Sequence, residues 1–346
     1  MNKILSLFDK DFVNSYFYEH ILPLYPQVKQ ISDISIKPYK KLVWETTYHV
    51  VIGFSIKAIA DSGRRLEIPV VCSAHSSEPR ELAYKVLKYL WKRNFATREF
   101  AIPRPLFFDR NFNATFYRAV KGDDLFHFIK DNNRPIIMEL MHRSARLFGH
   151  LHDFPVTKNF EYNASNAMIE TVIPGKDNVI KEVNERFGLE LASRISRLYD
   201  RFISQEKNNW SRIGFSIIHG DAHTENIIKV KNSRIGLIDF TDFSVSDRFR
   251  DVGSFLQQLE YKIVSKIGDV AFAKECKQEF LRAYLDYCHL SLDDDIQSRI
   301  NLYYAWTSVR TVTFWLLKYD PAPDRAMEML DNLEPLVDDI NFRAQD

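Results

Sequence analysis

From Leu42 to Ala60 the chain is dense in Val, Ile, Thr, Tyr and Phe, and after Asp61-Ser62-Gly63 a second such run extends from Leu66 to Ala74. β-Branched and aromatic runs on either side of a short polar turn predict a β-hairpin. The period then changes. Ser76-Ser77-Glu78-Pro79 offers the cap and first-turn residues of a helix, and behind it Leu82, Ala83, Val86, Leu87, Leu90 and Trp91 recur at helical spacing. Pro103 and Pro105 interrupt the chain, and Leu106-Phe107-Phe108 and Ala114-Thr115-Phe116-Tyr117 flank Asp109-Arg110-Asn111 as a second hairpin. Val120-Lys121-Gly122 reads as a hinge. Beyond it Ile137, Met141, Ala145, Phe148 and Leu151 mark one face of a helix that Pro155 closes, and residues 176–208 and 252–346 keep a helical period. A short β island lies between them, at Ile217-Ile218, Asn226 to Val230 and Ile235 to Ile238. The pattern predicts an α+β protein of two lobes, β-rich over 1–121 and mainly helical over 122–346.

Composition narrows the function classes. The 346 residues are 45% hydrophobic and 14% aromatic, enough for a large core and against a disordered chain. A net charge of +1 gives no global field for nucleic acid or an anionic membrane. No apolar run is long enough to span a bilayer, and the N-terminal apolar stretch is too short for a secretory signal. Cys72, Cys276 and Cys288 form no CxxC, which excludes a four-cysteine zinc site and fits a reducing compartment. The expectation is a soluble cytoplasmic protein with neither nucleic acid nor membrane as partner, its oligomeric state left open. The 11 glycines form neither GxGxxG nor GxxxxGK[ST], which argues against a Rossmann dehydrogenase and a Walker-type NTPase.

Chemistry concentrates in the β island. Asp221 follows the run Ile217-Ile218, Asn226 stands five residues on, and Asp239 follows Ile235 to Ile238, 18 residues after Asp221. Apolar runs bury strands and hold the acids at their ends out at a rim. Two carboxylates and an amide form a hard-oxygen cluster suited to Mg²⁺, which takes few protein ligands and completes its shell with phosphates and water. A base Asp, then a metal-binding Asn, then a metal-binding Asp is the order that protein kinases use. His219 and His223 have the spacing of a helical zinc pair, but Gly220 and the preceding strand argue against a helix there.

His219-Gly220-Asp221 through Asn226, Ile238-Asp239-Phe240 and Arg250-Asp251-Val252-Gly253 resemble the aminoglycoside phosphotransferase and choline-kinase-like family. Leu147 to His152 and Phe116 to Gly122 are similar to that family's helix before the catalytic loop and to its interlobe hinge. The resemblance implies a two-lobed protein-kinase-like fold, a small antiparallel-sheet lobe before a larger helical one. It also implies ATP and Mg²⁺, and a hydroxyl of a small molecule as phosphoryl acceptor. In these terms Asp221 is the catalytic base, and Asn226 and Asp239 hold the metal. His219 and Asp251 support the catalytic loop, an N-cap being the plainer role for Asp251. Val120 lies on the adenine-binding hinge, and Glu81 stands where the family's ion-pair glutamate falls.

The sequence departs from the family on its third strand, Leu66 to Ala74, which carries no Lys or Arg where a phosphate-binding Lys is expected. Lys57, on the preceding strand, is the candidate substitute; a solvated strand end is its plain alternative. The missing base leaves a second function class, a kinase-like nucleotide-binding protein of weak or no turnover. A metallophosphoesterase shares the string Asp221-Ala222-His223 but needs further motifs downstream that the chain lacks. Asp293-Asp294-Asp295 and the acids at 331–339 are candidates to draw a cationic acceptor, although runs of this kind usually form a solvated helix face.

Overall fold

A computed structural model describes residues 2–78, 80–157, 160–210, 214–231 and 233–342. Pro79, read above as a first-turn proline, lies outside the described residues. In chain order the main strands are β1 (Val28–Val43), β2 (Tyr48–Ala60), β3 (Arg65–His75), β4 (Phe100–Ala101), β5 (Arg104–Asp109), β6 (Ala114–Arg118), β7 (Asp123–Asp124), β8 (Phe215–Ile218), β9 (Ile227–Lys229), β10 (Ile235–Leu237) and β11 (Ser244–Asp247). The α-helices are α1 (Lys10–His20), α2 (Arg80–Lys92), α3 (Leu125–Lys130), α4 (Arg134–His152), α5 (Lys176–Phe187), α6 (Leu189–Asn209), α7 (Phe249–Ile267), α8 (Val270–Cys288), α9 (Asp294–Leu317) and α10 (Pro323–Phe342). They belong to two compact units, Met1–Asp123 with Ile228–Thr241, and Asp124–Ile227 with Asp242–Asp346.

The first unit is built on a five-stranded sheet in the order β1-β2-β3-β6-β5, each neighbouring pair antiparallel. Along β2 every second residue from Tyr48 to Ala60 is buried, the period-2 signature of a half-buried strand. That face receives α1, whose Phe17 meets Phe54 edge-on with ring centroids 4.9 Å apart. Neither α1 nor β1 was evident in the sequence. β1 is an edge strand whose second half, with Lys37, Pro38, Lys40 and Lys41, is exposed; basic residues and proline on an edge deter pairing with other chains and hide the strand period. The segment 228–241 joins this unit through β10, which pairs in parallel with β4.

The second unit is helical around Phe148, Phe255 and Phe280, with Phe255 and Phe280 4.5 Å apart. β8 and β11 form its antiparallel pair. Gly188, at φ +90°, divides the helical stretch 176–208 into α5 and α6. α7 starts at Phe249, so Asp251 is inside its first turn rather than its N-cap. Beside it Arg299 grips Asp247 through two bonds of 2.6 and 2.8 Å, both residues buried. A buried Arg survives when such a fork satisfies it. Among the described residues no helix is long and apolar enough to cross a membrane.

Candidate active site

The loop leaving β8 is held by its backbone. Gly220 sits at φ +81°, and a Cβ there would lie 2.2 Å from both the Asp242 carbonyl oxygen and Asn166 Nδ2. Only glycine fits a left-handed position so crowded. Asp251, 1% exposed, accepts the N–H of His219 at 2.6 Å on Oδ2 and that of Gly220 at 2.9 Å on Oδ1. His152 Nε2 lies 3.1 Å from the same Oδ2, and His152 Nδ1 lies 2.7 Å from the Tyr284 hydroxyl. Burial pushes the His152 pKa down, against the pull of Asp251. A neutral ring serves both contacts, giving its Nε2 proton to Asp251 and accepting at Nδ1 from Tyr284. Burial also opposes ionisation of Asp251, but His152 and His219 outweigh it and its pKa is lowered.

This loop presents Asp221 and Asn226. His223 stands between two carboxylates, its Nε2 3.2 Å from Asp221 and its Nδ1 3.2 Å from Glu225. Burial acts against the charged forms of both Asp221 and His223. Their mutual attraction wins: the Asp221 carboxyl is held well below its usual range and the His223 pKa is raised to about 10. Asn226, 5% exposed, donates from Nδ2 to the Asp221 carbonyl at 2.9 Å.

Asp221 opens into a cavity of about 620 Å³ within the second unit. One wall is the face of α7 carrying Ser254, Gln258, Tyr261, Lys262 and Ser265; another is the face of α9 carrying Thr307, Arg310, Thr311, Phe314 and Trp315. Both sets recur every three to four residues, so each helix gives a stripe to the core and a stripe to the cavity.

In the first unit Asp239 stands at φ +61°, an uncommon conformation for a residue with a side chain. The Thr241 hydroxyl donates to its Oδ1 at 2.7 Å and accepts from Arg80 Nη1 at 2.6 Å. Arg80 is 4% exposed, its Nη2 donates to Glu78 at 2.7 Å, and its Nε, buried, has no hydrogen-bond partner among the described residues. Arg80, Asp239 and Thr241 line one small cavity of about 20 Å³. The exposed Lys40 of β1 is near enough that, after burial, the charge of Arg80 lowers its pKa while Glu78 and Asp239 raise it. His49, His75 and Glu78 bring potential ligand atoms within 4.8 Å of one another. The Arg80 guanidinium reaches both Glu78 and His49 Nε2, the latter at 3.3 Å, and so supplies the cation there.

The structure does not bring Lys57 or Glu81 to this cavity. Lys57 is 64% exposed and lies 3.2 Å from Asp33. It is eight residues along β2 from His49, roughly 26 Å at strand rise. Glu81 is half-exposed beside Lys85 and Arg110. Val120 is half-buried against Gly236. On β3, where a base is expected at position 72 or 73, Cys72 is fully buried and Ser73 lines the small cavity. Arg80 and Lys40 went unnoticed in the sequence. Arg80 did leave a signal: a basic residue in the first turn of a helix opposes the macrodipole and calls for a reason.

The sequence profile of the phosphotransferase enzyme family (APH) matches residues 70–292. No curated protein matches the chain. Among solved structures the chain is similar to Plasmodium vivax ethanolamine kinase, at TM-score 0.56 and 15% identity over 83% of this chain and 81% of that one. It is similar to amicoumacin kinase hAmiN, at 0.54 and 14% over 95% and 96%. It is also similar to the ADP-bound aminoglycoside phosphotransferase APH(2'')-Ib, at 0.50 and 16% over 92% and 96%. Identities this low speak for the fold, two-lobed and protein-kinase-like. The family profile spans well over half of the sequence, and the chain belongs to the phosphotransferase enzyme family.

Proposed function

We propose that the protein transfers a phosphoryl group from ATP, with Mg²⁺, to a hydroxyl of a small molecule. The observation that carries this reading is Asp221, a carboxylate held ionised at the mouth of a cavity of small-ligand size. Asp221 accepts the hydrogen bond of the acceptor hydroxyl, aims the oxygen along the line of attack and takes its proton as the new P–O bond forms. His223 keeps the base ionised until then.

Asn226 brings an amide oxygen, and Asp239 brings a carboxylate that accepts from Thr241. These hard oxygens are the residues that would hold Mg²⁺. When bound, the ion neutralises charge on the phosphates. Among the solved relatives, the APH(2'')-Ib structure is ADP-bound, and that of amicoumacin kinase contains AMP-PNP and Ca²⁺. Arg80, with Lys40 beside it, is the cation for the nucleotide phosphates in place of a third-strand lysine, and the backbone at Val120 is the adenine contact. The reading of a catalytically silent kinase-like protein rested on the missing cation, and Arg80 weakens that premise.

The test is ADP release from Mg-ATP against a library of hydroxyl compounds, with Asp221→Asn alongside. Acceptor-dependent release that needs Asp221 supports the assignment. Release that survives the substitution, or fails with every acceptor, sinks it.

A further inference from the structure

We infer that the acceptor is an anion, a small hydroxylated molecule bearing a carboxylate or a phosphoryl group. This rests on reading the 620 Å³ cavity as the acceptor site of a phosphotransferase.

The charge of the lining carries the inference. Among the described residues that line the cavity, Lys262, Lys266, Arg310 and Arg325 are basic and Asp221 alone is acidic. Lys262 is matched by Glu225 at 3.1 Å. Lys266 and Arg325 have no acidic partner among the described residues, while the charge of Arg310 helps to hold the Asp221 carboxyl low. Both arginines are positioned by aromatic rings. Arg325 lies 4.3 Å from the Trp315 ring centroid and 5.1 Å from that of Tyr261, and Arg310 lies 5.0 Å from Trp306. Stacking orients a guanidinium without neutralising it, so its N–H fork remains free for an oxyanion.

A cationic acceptor finds little to hold it there. Aromatic walls can cage an ammonium, but these rings already carry cations: Trp315 holds Arg325 and Lys318, the latter at 4.1 Å, and Phe126 holds Lys262 at 4.3 Å. The acidic runs do not line the cavity. Asp293 caps α9, Asp295 pairs with Arg299, and Asp331 and Glu334 hold Arg194. The side chains of Asp338 and Asp339 lie outside the described residues. The one lining carboxylate, Asp221, is engaged by His223.

Glucosamine, glucose, glucuronate and glucose 6-phosphate share a pyranose ring and differ in charge, which makes them suitable probes. Calorimetric titration of the full chain without nucleotide should show glucuronate or glucose 6-phosphate binding at least tenfold tighter than glucose, and glucosamine weakest. The stronger of the two anions identifies the oxyanion as carboxylate or phosphoryl. Arg325→Gln should weaken that binding at least tenfold and Arg325→Lys less. Lys266→Gln, at an exposed position that no packing depends on, should weaken it several-fold. Equal binding across the set, no binding by any member, or tightest binding by glucosamine overturns the inference. So does a loss of ATP affinity in Arg325→Gln with anion binding intact, since the cations would then serve the nucleotide. Anion binding that no variant of the assay couples to ADP release would instead defeat the phosphotransferase reading, and the two failures are thereby told apart.

Discussion

Arg80 donates to the Thr241 hydroxyl at 2.6 Å and so stands one hydrogen bond from Asp239. Glu78 meets one end of this buried guanidinium, and its Nε is left without a hydrogen bond among the described residues, so it has donor capacity to spare for a phosphate. Arg80→Gln should therefore raise the ATP KM or lower kcat at least tenfold, about 1.4 kcal/mol. Lys57→Ala, at a solvated strand position paired with Asp33, should change neither by more than twofold. Steady-state kinetics on the two variants decides between them, and the reverse outcome would restore Lys57 as the phosphate-binding cation.

Asp221→Asn keeps the shape of the base and removes its proton affinity. Turnover should fall about 10²-fold or more, the usual cost of a lost general base, with ATP binding by calorimetry little changed. Asp239→Ala should abolish the Mg²⁺-dependent part of nucleotide binding, and Asn226→Ala should raise the Mg²⁺ requirement. The double variant should fall short of the sum, because two ligands of one ion are not independent. Strict additivity would separate their roles.

Acid should loosen the support of the loop through His152. Its pKa is lowered in the fold from an ordinary 6.5. The unfolded chain then binds the proton more readily, so this contribution is complete above pH 6.5 and is lost as pH falls through the lower folded value. Asp251, also lowered, adds a loss of the same sign at more acid pH. Thermal melts between pH 7.5 and 4.5, on the order of the titration range of these groups, should show Tm declining in the native chain. His152→Gln should melt lower at neutral pH and decline less over the acid range. A parallel decline in both would place the titrating group elsewhere.

Gly220→Ala places a Cβ 2.2 Å from the Asp242 carbonyl oxygen at a positive φ. The backbone penalty alone is about 1–3 kcal/mol, and the overlap adds to it. Denaturant titration should show that loss, and activity should fall with it because His219 and Asp221 flank the residue. A variant with native stability would mean that the loop has room to relax.

The candidate residues of the second unit's loop were legible because they are local. His219 through Asn226 is one loop, and the strand-then-acid pattern marks it without any knowledge of neighbours. The hairpin of β2 and β3 was legible for the same reason, since β-branched runs and a turn are short-range signals. What escaped was set by distant pairing. β1 is polar along an exposed edge, so its period is faint. Arg80 matters only because Thr241, far along the chain, comes back to meet it. Lys57 and Glu81 were placed by analogy with strand and helix positions, and their orientation depends on register and helix rotation that spacing does not specify. The basic lining drawn from Lys262, Lys266, Arg310 and Arg325 is spread over three helices and has no contiguous motif.

The route of the chain through β9 and β10 constrains how this protein can be rearranged. Residues 228–241 depart from the second unit, pair with β4 in the first, and return with Asp239 left behind. A single cut near residue 123 would thus strand β4 without its partner and strip the N-terminal fragment of a metal-ligand candidate. Exchange of the first unit between relatives must carry two stretches of gene, one of them only 14 codons long. Recombination at one crossover cannot accomplish that: a chimera that keeps the first unit whole needs breakpoints near residues 123, 227 and 241.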